Sequence, residues 1–512
     1  MSKQLLKSGV IVSAMTLLSR VLGLVRDMVM FHLLGSHFAA DVFLVAQKIP
    51  NFLRRLFAEG AFSQAFIPVL SEYQTNKDVQ QVRKLVSETF GTLTVILVVV
   101  SVVGVLASPV LVSLFGPGFI NEPEKFELAS LLLKITFPYI LFISLTAFSG
   151  SILNSLGKFA VPAFTPVMLN VSIISAAIIV SPALERETAK ALAWGVFVAG
   201  IIQFLMQLPF LWKEGYLVAP TWGWNSPGVK RILVLMGPAL FGVSVGQINL
   251  LLDTVIASFL QTGSIAWLYM SDRMLEFPLG MFGIAISTVI LPSLSRHHSS
   301  ENKADFNATI NWALKLVCLI GLPAAIGLFM MAEPIILTVF QHGKVQLSDA
   351  YSASLSLKAY ILGLLGFMLI KVLATGFFSR QDTKTPVKIG IIAMVTNMVF
   401  NIILFFPLAH VGLALATAIS AILNALLLFF ALRKSGAFVP DGGWKSWISK
   451  LIIGNLFLLV FIHYQMADVV EWQAWTSLQR SQNMLILVVF SVLIYVASMY
   501  TLGVRGRHLR HG

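Results

Sequence analysis

Charge is what this 512-residue chain has least of. Lys, Arg, Asp and Glu make up 12% of it against 57% apolar residues, where a soluble protein carries roughly 25% charged residues. There is one cysteine, Cys318. An internal disulfide is therefore excluded, and no Cys/His spacing suits a metal. Cys318 sits in a predicted helix and reads as a small buried hydrophobe. No Gly-rich loop of the Walker type is present, so any transport must be driven by a gradient or by the membrane potential rather than by ATP. The first apolar segment is broken by Ser19-Arg20 and Arg26-Asp27, and it lacks the short apolar run and small-residue cleavage site of a secretory signal. Acidic residues are few, 23 against 36 basic, for a net charge of +13. Nucleic acid is not the partner this implies, because much of the basic excess lies in short loops where it sets membrane topology.

What the chain has is length without charge. Gly91 to Ile120, Ile135 to Gly157 and Phe159 to Leu184 contain no charged residue, and about 20 such residues cross a bilayer. The pattern predicts an all-α polytopic membrane protein with fourteen transmembrane helices, near 8–35, 39–71, 86–115, 127–156, 160–181, 189–212, 232–261, 264–295, 306–332, 351–378, 387–407, 410–432, 447–465 and 482–504. Clusters such as Gly116-Pro117-Gly118, Asn225-Ser226-Pro227-Gly228 and Asp441-Gly442-Gly443 separate them. With the N-terminus in the cytoplasm, that side collects about 21 Lys and Arg, and the other side about five: Lys125, Arg186, Lys190, Lys344 and Arg480. The expectation is a multi-pass membrane protein with both termini cytoplasmic. The pair His297-His298 falls in a short cytoplasmic loop and reads as solvated.

The chain also repeats itself. Ala61-Phe-Ser-Gln-Ala-Phe-Ile-Pro-Val-Leu-Ser71 echoes Ala285-Ile-Ser-Thr-Val-Ile-Leu-Pro-Ser-Leu-Ser295 at an offset of 224, which also maps Lys134 onto Lys358 and Pro162 onto Pro386. Six helices separate the copies, so their topology is parallel. Two six-helix lobes related by an axis along the membrane normal are a transporter plan. The predicted division is 1–222 for helices 1–6, 223–440 for helices 7–12, and 441–512 for two additional C-terminal helices and the tail.

The few charges stand where they are expensive. Arg20, Arg26, Asp27, Asp41, Lys48, Arg54, Arg55 and Glu59 fall within the first two hydrophobic helices, and one charge at a bilayer centre costs roughly 2.5–3.5 kcal/mol on insertion scales. That cost is avoided by facing a hydrated, protein-lined interior, which in a membrane protein is a transport or binding site by default. Helical spacing puts Thr16, Arg20, Gly23 and Asp27 on one face of helix 1, with Arg26 flanking it. Asp41, Lys48, Arg55 and Glu59 lie near one stripe of helix 2, in which Pro50 predicts a kink. Helix 8, the repeat mate of helix 2, carries Asp272, Arg273 and Glu276. Lys134, Lys315, Lys358 and Lys371 add intramembrane positive charge. A cationic cavity favours an anionic substrate, and the planar fork of arginine suits phosphate. The structural alternative is that Arg26 and Asp27 pair to lock lobes together, while Arg54, Arg55, Lys384 and Lys388 snorkel to the interface. A weaker constellation joins Asp253 of helix 7, Asn397 and Asn401 of helix 11, and Thr417 of helix 12. Oxygen ligands from three helices suit Na⁺, or Asp253 carries a proton (H⁺); interhelical hydrogen bonding is the alternative.

These residues carry a resemblance. Ser19-Arg20-Val-Leu-Gly-Leu-Val-Arg26-Asp27, then Asp41, then Lys48-Ile-Pro-Asn-Phe-Leu-Arg54-Arg55-Leu-Phe-Ala-Glu59-Gly-Ala-Phe-Ser-Gln-Ala-Phe-Ile-Pro68 closely resemble the MurJ/MviN family of bacterial lipid II flippases. Asp272-Arg273-Met-Leu-Glu276-Phe-Pro and Phe378-Ser-Arg380-Gln-Asp382-Thr-Lys384-Thr-Pro386-Val-Lys388 extend the match. The resemblance covers essentially the whole chain, and the extra helix pair fits this branch of a superfamily whose multidrug exporters have twelve helices. It implies translocation of lipid II, an undecaprenyl-diphosphate-linked disaccharide-pentapeptide, from the inner to the outer leaflet for peptidoglycan assembly by alternating access, without catalysis. It implies substrate binding by Arg20, Arg26 and Arg273, with Asp27 beside them, and functional roles for Asp41, Arg54, Arg55 and Glu59; the other intramembrane charges Lys48, Asp272, Glu276 and Lys371 are expected to join these as gating or transport-essential residues. It also implies a Na⁺ site at Asp253, Asn397, Asn401 and Thr417, where Asn401 replaces an acidic residue found in some members. Membrane lipids, and possible cell-wall synthesis machinery, are the other partners it suggests. Two further readings remain: a cation-coupled exporter of another lipid-linked oligosaccharide or an amphiphilic small molecule, and a scaffold recruiting cell-wall enzymes. The first predicts an acidic cavity, and the second leaves the intramembrane arginines unexplained.

Overall fold

The computed structural model describes residues 3–184, 187–283, 286, 290–291, 293–296 and 302–505, without the side chains of 3–10, 57–59, 241–246, 249–250 and 282–283. Arg186, His297, His298 and part of the second repeat copy, 285–295, lie outside the described residues, as does the side chain of Glu59. The described residues are predominantly helical, with no strand among them. Among the described residues, eight helices are long and apolar enough to cross a membrane, or nine when Leu347–Ile361 and Leu364–Phe378, bent by 40°, count as one span.

The chain forms two compact units. The first is Met1–Gly263 with His342–Lys344, and the second is Ser264–Gln341 with Val345–Gly512. The first takes in the Pro227–Ala257 helix, which the sequence division at 222/223 groups with the following lobe. An exposed ion pair fastens the start of that helix: Arg231 Nη1 donates to Glu72 at 2.8 Å. The hydrogen bond from Arg231 holds the Glu72 carboxyl below the usual carboxylate range.

Local chemistry explains the breaks. Helix 2 runs through Pro50, and a proline ring displaces the hydrogen bond to the carbonyl four residues earlier. That carbonyl, Ala46 O, instead accepts from the Thr136 hydroxyl at 3.3 Å. Intrahelical bonds lost in a membrane must be replaced by neighbouring side chains, as here. Four residues past Pro50 the helix winds as π over Arg54–Phe62 before resuming α over Ser63–Asn76. The stretch Lys384–Lys434 is two helices joined at Ala409, which takes φ 47° and ψ −126°. Gly412 permits this turn: a Cβ there would meet the Leu404 carbonyl oxygen at 2.3 Å. The break matches the predicted boundary between helices 11 and 12. Just before this stretch, Asp382 accepts from the backbone N–H and hydroxyl of Thr385, which keeps its carboxyl below the ordinary range.

The last two helices, Trp444–Gln465 and Ser477–Thr501, pack on Lys303–Met330 through Trp447, Leu451, Leu487 and Tyr495 around Cys318, Leu322 and Ile326. Cys318 is thus a half-buried apolar contact. Polar ties fix the register. Tyr495 OH donates to Leu319 O at 2.8 Å, Trp444 Nε1 donates to Asn311 Oδ1 at 2.7 Å, and Lys315 Nζ reaches Asp441 Oδ2 at 2.6 Å. Lys315 is therefore neutralised by the loop before helix 13 and is not an isolated intramembrane charge.

Candidate functional site

In the first unit, the charged face of helix 1 meets the helix Ala160–Ser175. Asp27 is fully buried. Its Oδ1 accepts from Arg26 Nε at 2.9 Å and Nη2 at 2.6 Å, a bidentate contact between neighbours in sequence. Arg26 Nη1 also donates to Asn170 Oδ1 at 3.2 Å, and Asn170 Nδ2 donates back to the Ser19 carbonyl at 3.0 Å. One asparagine thus ties two turns of helix 1 and orients the guanidinium. A charge-assisted fork of this kind is stronger than a neutral hydrogen bond and fixes geometry as well. The Arg26 side chain stays 13% exposed. Arg20 is half-buried, and Gly23 is buried on the same face as Asp27.

Asn170 is the residue sequence reasoning missed. It had a signal: it is the one amide in the charge-free run Phe159 to Leu184, and such a residue in a membrane helix finds a partner across an interface. Gln203 and Gln207 follow the same rule, donating to Thr165 O at 3.0 Å and Thr165 Oγ1 at 3.2 Å.

Helix 2 distributes its charges differently from the predicted stripe. Asp41 is buried at its first turn, and its Oδ2 accepts from the Gly263 N–H at 2.7 Å. Gly263, at φ 96°, is the last residue of the first unit before Ser264. Two more ties hold the same connection. Lys125 Nζ donates to Thr262 Oγ1 and to Glu122 Oε1, each at 2.7 Å, and Gly118 N donates to Ser258 Oγ at 3.0 Å. Gly118 is needed for that approach, since a Cβ would lie 1.9 Å from the Ser258 carbonyl oxygen. Lys48 is half-buried. Arg54 Nε donates to Asn51 Oδ1 at 3.4 Å, and Arg55 is exposed. Arg54, Arg55 and Glu59 all fall in the π-wound segment. Bonding from i to i+5 turns each residue through a smaller angle than an α-helix does, so the 100° stripe does not continue past Arg54.

In the second unit, Arg273 is half-buried and donates to Glu276 Oε2 at 3.4 Å, while Asp272 and Glu276 are exposed on the same helix, Ser264–Pro278. Lys371 is exposed. Asn397, Asn401 and Thr417 come together: Asn401 Nδ2 donates to Asn397 Oδ1 at 2.9 Å, Asn397 Nδ2 to Thr417 Oγ1 at 3.1 Å, and Thr417 Oγ1 to Leu413 O at 3.0 Å. Asp253 belongs to the first unit. The three residues form a hydrogen-bonded chain between helices 11 and 12, and among the described residues no cluster of three His, Cys, Asp or Glu suits a metal. A second buried polar set was not foreseen. His410 Nδ1 lies 2.6 Å from Ser356 Oγ, its ring meets Trp267 edge-on at 4.9 Å, and Trp267 Nε1 donates to Asp349 Oδ1 at 3.0 Å.

Comparison with known proteins places this arrangement. The family model described as "Lipid II flippase MurJ" matches residues 30–502. The "Probable lipid II flippase MurJ" of Vibrio cholerae is 52% identical, over 99% of this chain and 98% of that protein. The protein of the same description from Haemophilus influenzae is 51% identical over 97% of this chain and 99% of its own length. The "Lipid II flippase MurJ" of Burkholderia cenocepacia is 38% identical over 98% of both. Among solved structures, a lipid II flippase MurJ in an inward closed conformation superposes with a TM-score of 0.82 at 28% identity, covering 96% of this chain and 98% of that one. An inward-facing multidrug resistance transporter of the MATE family superposes at 0.68 with 14% identity, over 84% of this chain and 98% of that one, a likeness of fold alone.

Proposed function

Since the chain belongs to the MurJ family of lipid II flippases, we propose that its charged helix faces handle the diphosphate of that substrate as it crosses the membrane. The protein is a multi-pass membrane transporter of peptidoglycan synthesis that moves lipid II. The reading that goes further assigns Arg20 and Arg26 of the first unit and Arg273 of the second to the diphosphate, with translocation by alternating access and no chemical step. The single observation that supports it is the Arg26–Asp27–Asn170 frame. It holds a guanidinium in fixed orientation inside a membrane helix, where an unneeded charge is selected against. Asp27 offsets the cost of burying the arginine, and Asn170 sets its direction, so little ordering remains when a phosphate arrives. Asp41, at the connection to the second unit, is assigned to conformational coupling rather than to substrate contact.

The test is the accessibility of lipid II to an externally added enzyme in cells with the protein present or depleted. The expected result is a fall in external lipid II on depletion. External lipid II unchanged, with no second flippase in the cell, would sink the transport reading in favour of the scaffold.

Both termini are assigned to the cytoplasm on the Lys and Arg bias of the loops. A reporter active only outside the membrane, fused after residue 505, is expected to be silent. The same reporter placed in the Gln341–Val345 loop is expected to be active, and the reverse pattern would invert the topology.

A further inference from the structure

Behind the π-wound segment of helix 2, the first unit contains a cavity of about 180 Å³. Leu53 and Phe62, the residues bounding the π turn, form one wall. Leu93, Leu97 and Val100 of the Val79–Leu106 helix form a second, and Leu233 and Met236 of Pro227–Ala257 a third. Among its lining residues only Thr89, Thr92 and Ser144 bear hydroxyls. The Thr92 hydroxyl is already engaged by the backbone N–H of Gly223.

An apolar cavity of about 150 Å³ stays dry and takes a guest of roughly six carbons, so this one has room for a short run of hydrocarbon, and the hydroxyls of Thr89 and Ser144 are the two polar groups left on an otherwise apolar lining. Its rim is apolar and open. Val100 is 40% exposed, and Val234 and Leu235, beside Leu233 and Met236, are 73% and 41% exposed. On the same stretch of the Val79–Leu106 helix, Val95, Val98, Val99, Val102 and Val103 are exposed as well, and no charge occurs from Gly91 to Ile120. Such a surface in a membrane-spanning helix faces lipid.

We propose that this cavity is a socket for one acyl chain of a membrane phospholipid, seated against the π turn that carries Arg54 and Arg55. The driving force is packing. Lipid tails are as apolar as the lining, so transfer from bilayer to cavity gains no hydrophobic free energy; a void, however, leaves its lining atoms without dispersion partners. A hydrocarbon chain at the mouth supplies them. Phospholipid is the occupant because the rim at Val100 is continuous with the exposed, charge-free face of Val95, Val98, Val99, Val102 and Val103, and phospholipid tails are the bulk hydrocarbon that covers such a face.

The test uses the full-length protein in vesicles of phosphatidylethanolamine and phosphatidylglycerol, doped with phosphatidylglycerol bearing a photoreactive diazirine on one acyl chain. A parallel arm carries the same diazirine on a long prenyl diphosphate. Adducts are mapped by peptide mass spectrometry. The expected result is phospholipid adduct on Leu93, Leu97 and Met236, cut several-fold by Val100→Trp at the mouth, with labelling of outward-facing Val98 and Val102 unchanged. Leu93→Phe, a smaller filling, gives the same direction and guards against misfolding of the tryptophan variant. Cavity labelling no higher than that of neighbouring buried residues, or insensitive to both variants, overturns the proposal. Labelling by the prenyl probe in preference to phospholipid also overturns it, by making the socket a site for the substrate's tail. None of these outcomes bears on whether lipid II is flipped, so the two readings stand or fall separately.

Discussion

Arg26→Ala, expressed at the normal level, is expected to leave external lipid II near the level of depleted cells. Hydrogen bonds to charged groups are worth about 1.5–3 kcal/mol each. Loss of one such bond from the rate-limiting state slows translocation by roughly 10- to 150-fold. The substitution also takes from Asp27, which is fully buried, the two hydrogen bonds it receives from Arg26. Breaking a buried pair by removing one partner destabilises by about 3–5 kcal/mol, so a folding defect must be separated from a transport defect. The double variant Arg26→Gln with Asp27→Asn makes that separation. It removes both charges and leaves no buried ion alone, so protein level and thermal stability should recover while external lipid II stays low. Asn170→Ala keeps the guanidinium but loosens it, and should fall between. Wild-type external lipid II in Arg26→Ala would remove this arginine from the substrate's path.

Asp41→Ala is expected to be almost as damaging, for a different reason. The Asp41 carboxylate takes up the Gly263 N–H, and a buried donor left without a partner costs about 1–3 kcal/mol. Gly263 ends the first unit, so the loss falls on the connection between units and not on a phosphate. Asp41→Asn retains an oxygen that accepts the same bond and should retain a substantial part of the activity. Growth complementation and external lipid II, measured for both variants, decide the matter. If asparagine is as poor as alanine, the negative charge matters and the hydrogen-bond account is wrong.

The sequence made the helices legible because bilayer physics is strict about charge. Runs such as Gly91 to Ile120 admit one reading, and the break expected between 407 and 410 falls at Ala409. The π winding of Arg54–Phe62 was not visible. It depends on how Pro50 is accommodated against Thr136, a residue 86 positions further along the chain. The role of Asn170 was hidden for a related reason: its amide could be singled out, but its partners required knowing that helix 1 lies against Ala160–Ser175. Lys315 shows the opposite error. Counted as intramembrane charge, it is matched by Asp441, a loop residue whose reach back to the Lys303–Met330 helix no local pattern announces. Spacing along one helix can be read from sequence, whereas adjacency between helices cannot.

The Lys315–Asp441 pair has a consequence for how the protein is made. The two residues are 126 positions apart. At about 5–20 residues per second, the ammonium enters the nascent membrane helix some 6–25 seconds before its counter-ion leaves the ribosome. Asn311 and Leu319 are bound by the same order of events, since the Asn311 amide oxygen waits for Trp444 and the Leu319 carbonyl waits for Tyr495. The Lys303–Met330 helix therefore spends its early life with unmet polar groups. Such a helix gains from the shelter of an insertion chaperone until the last two helices arrive.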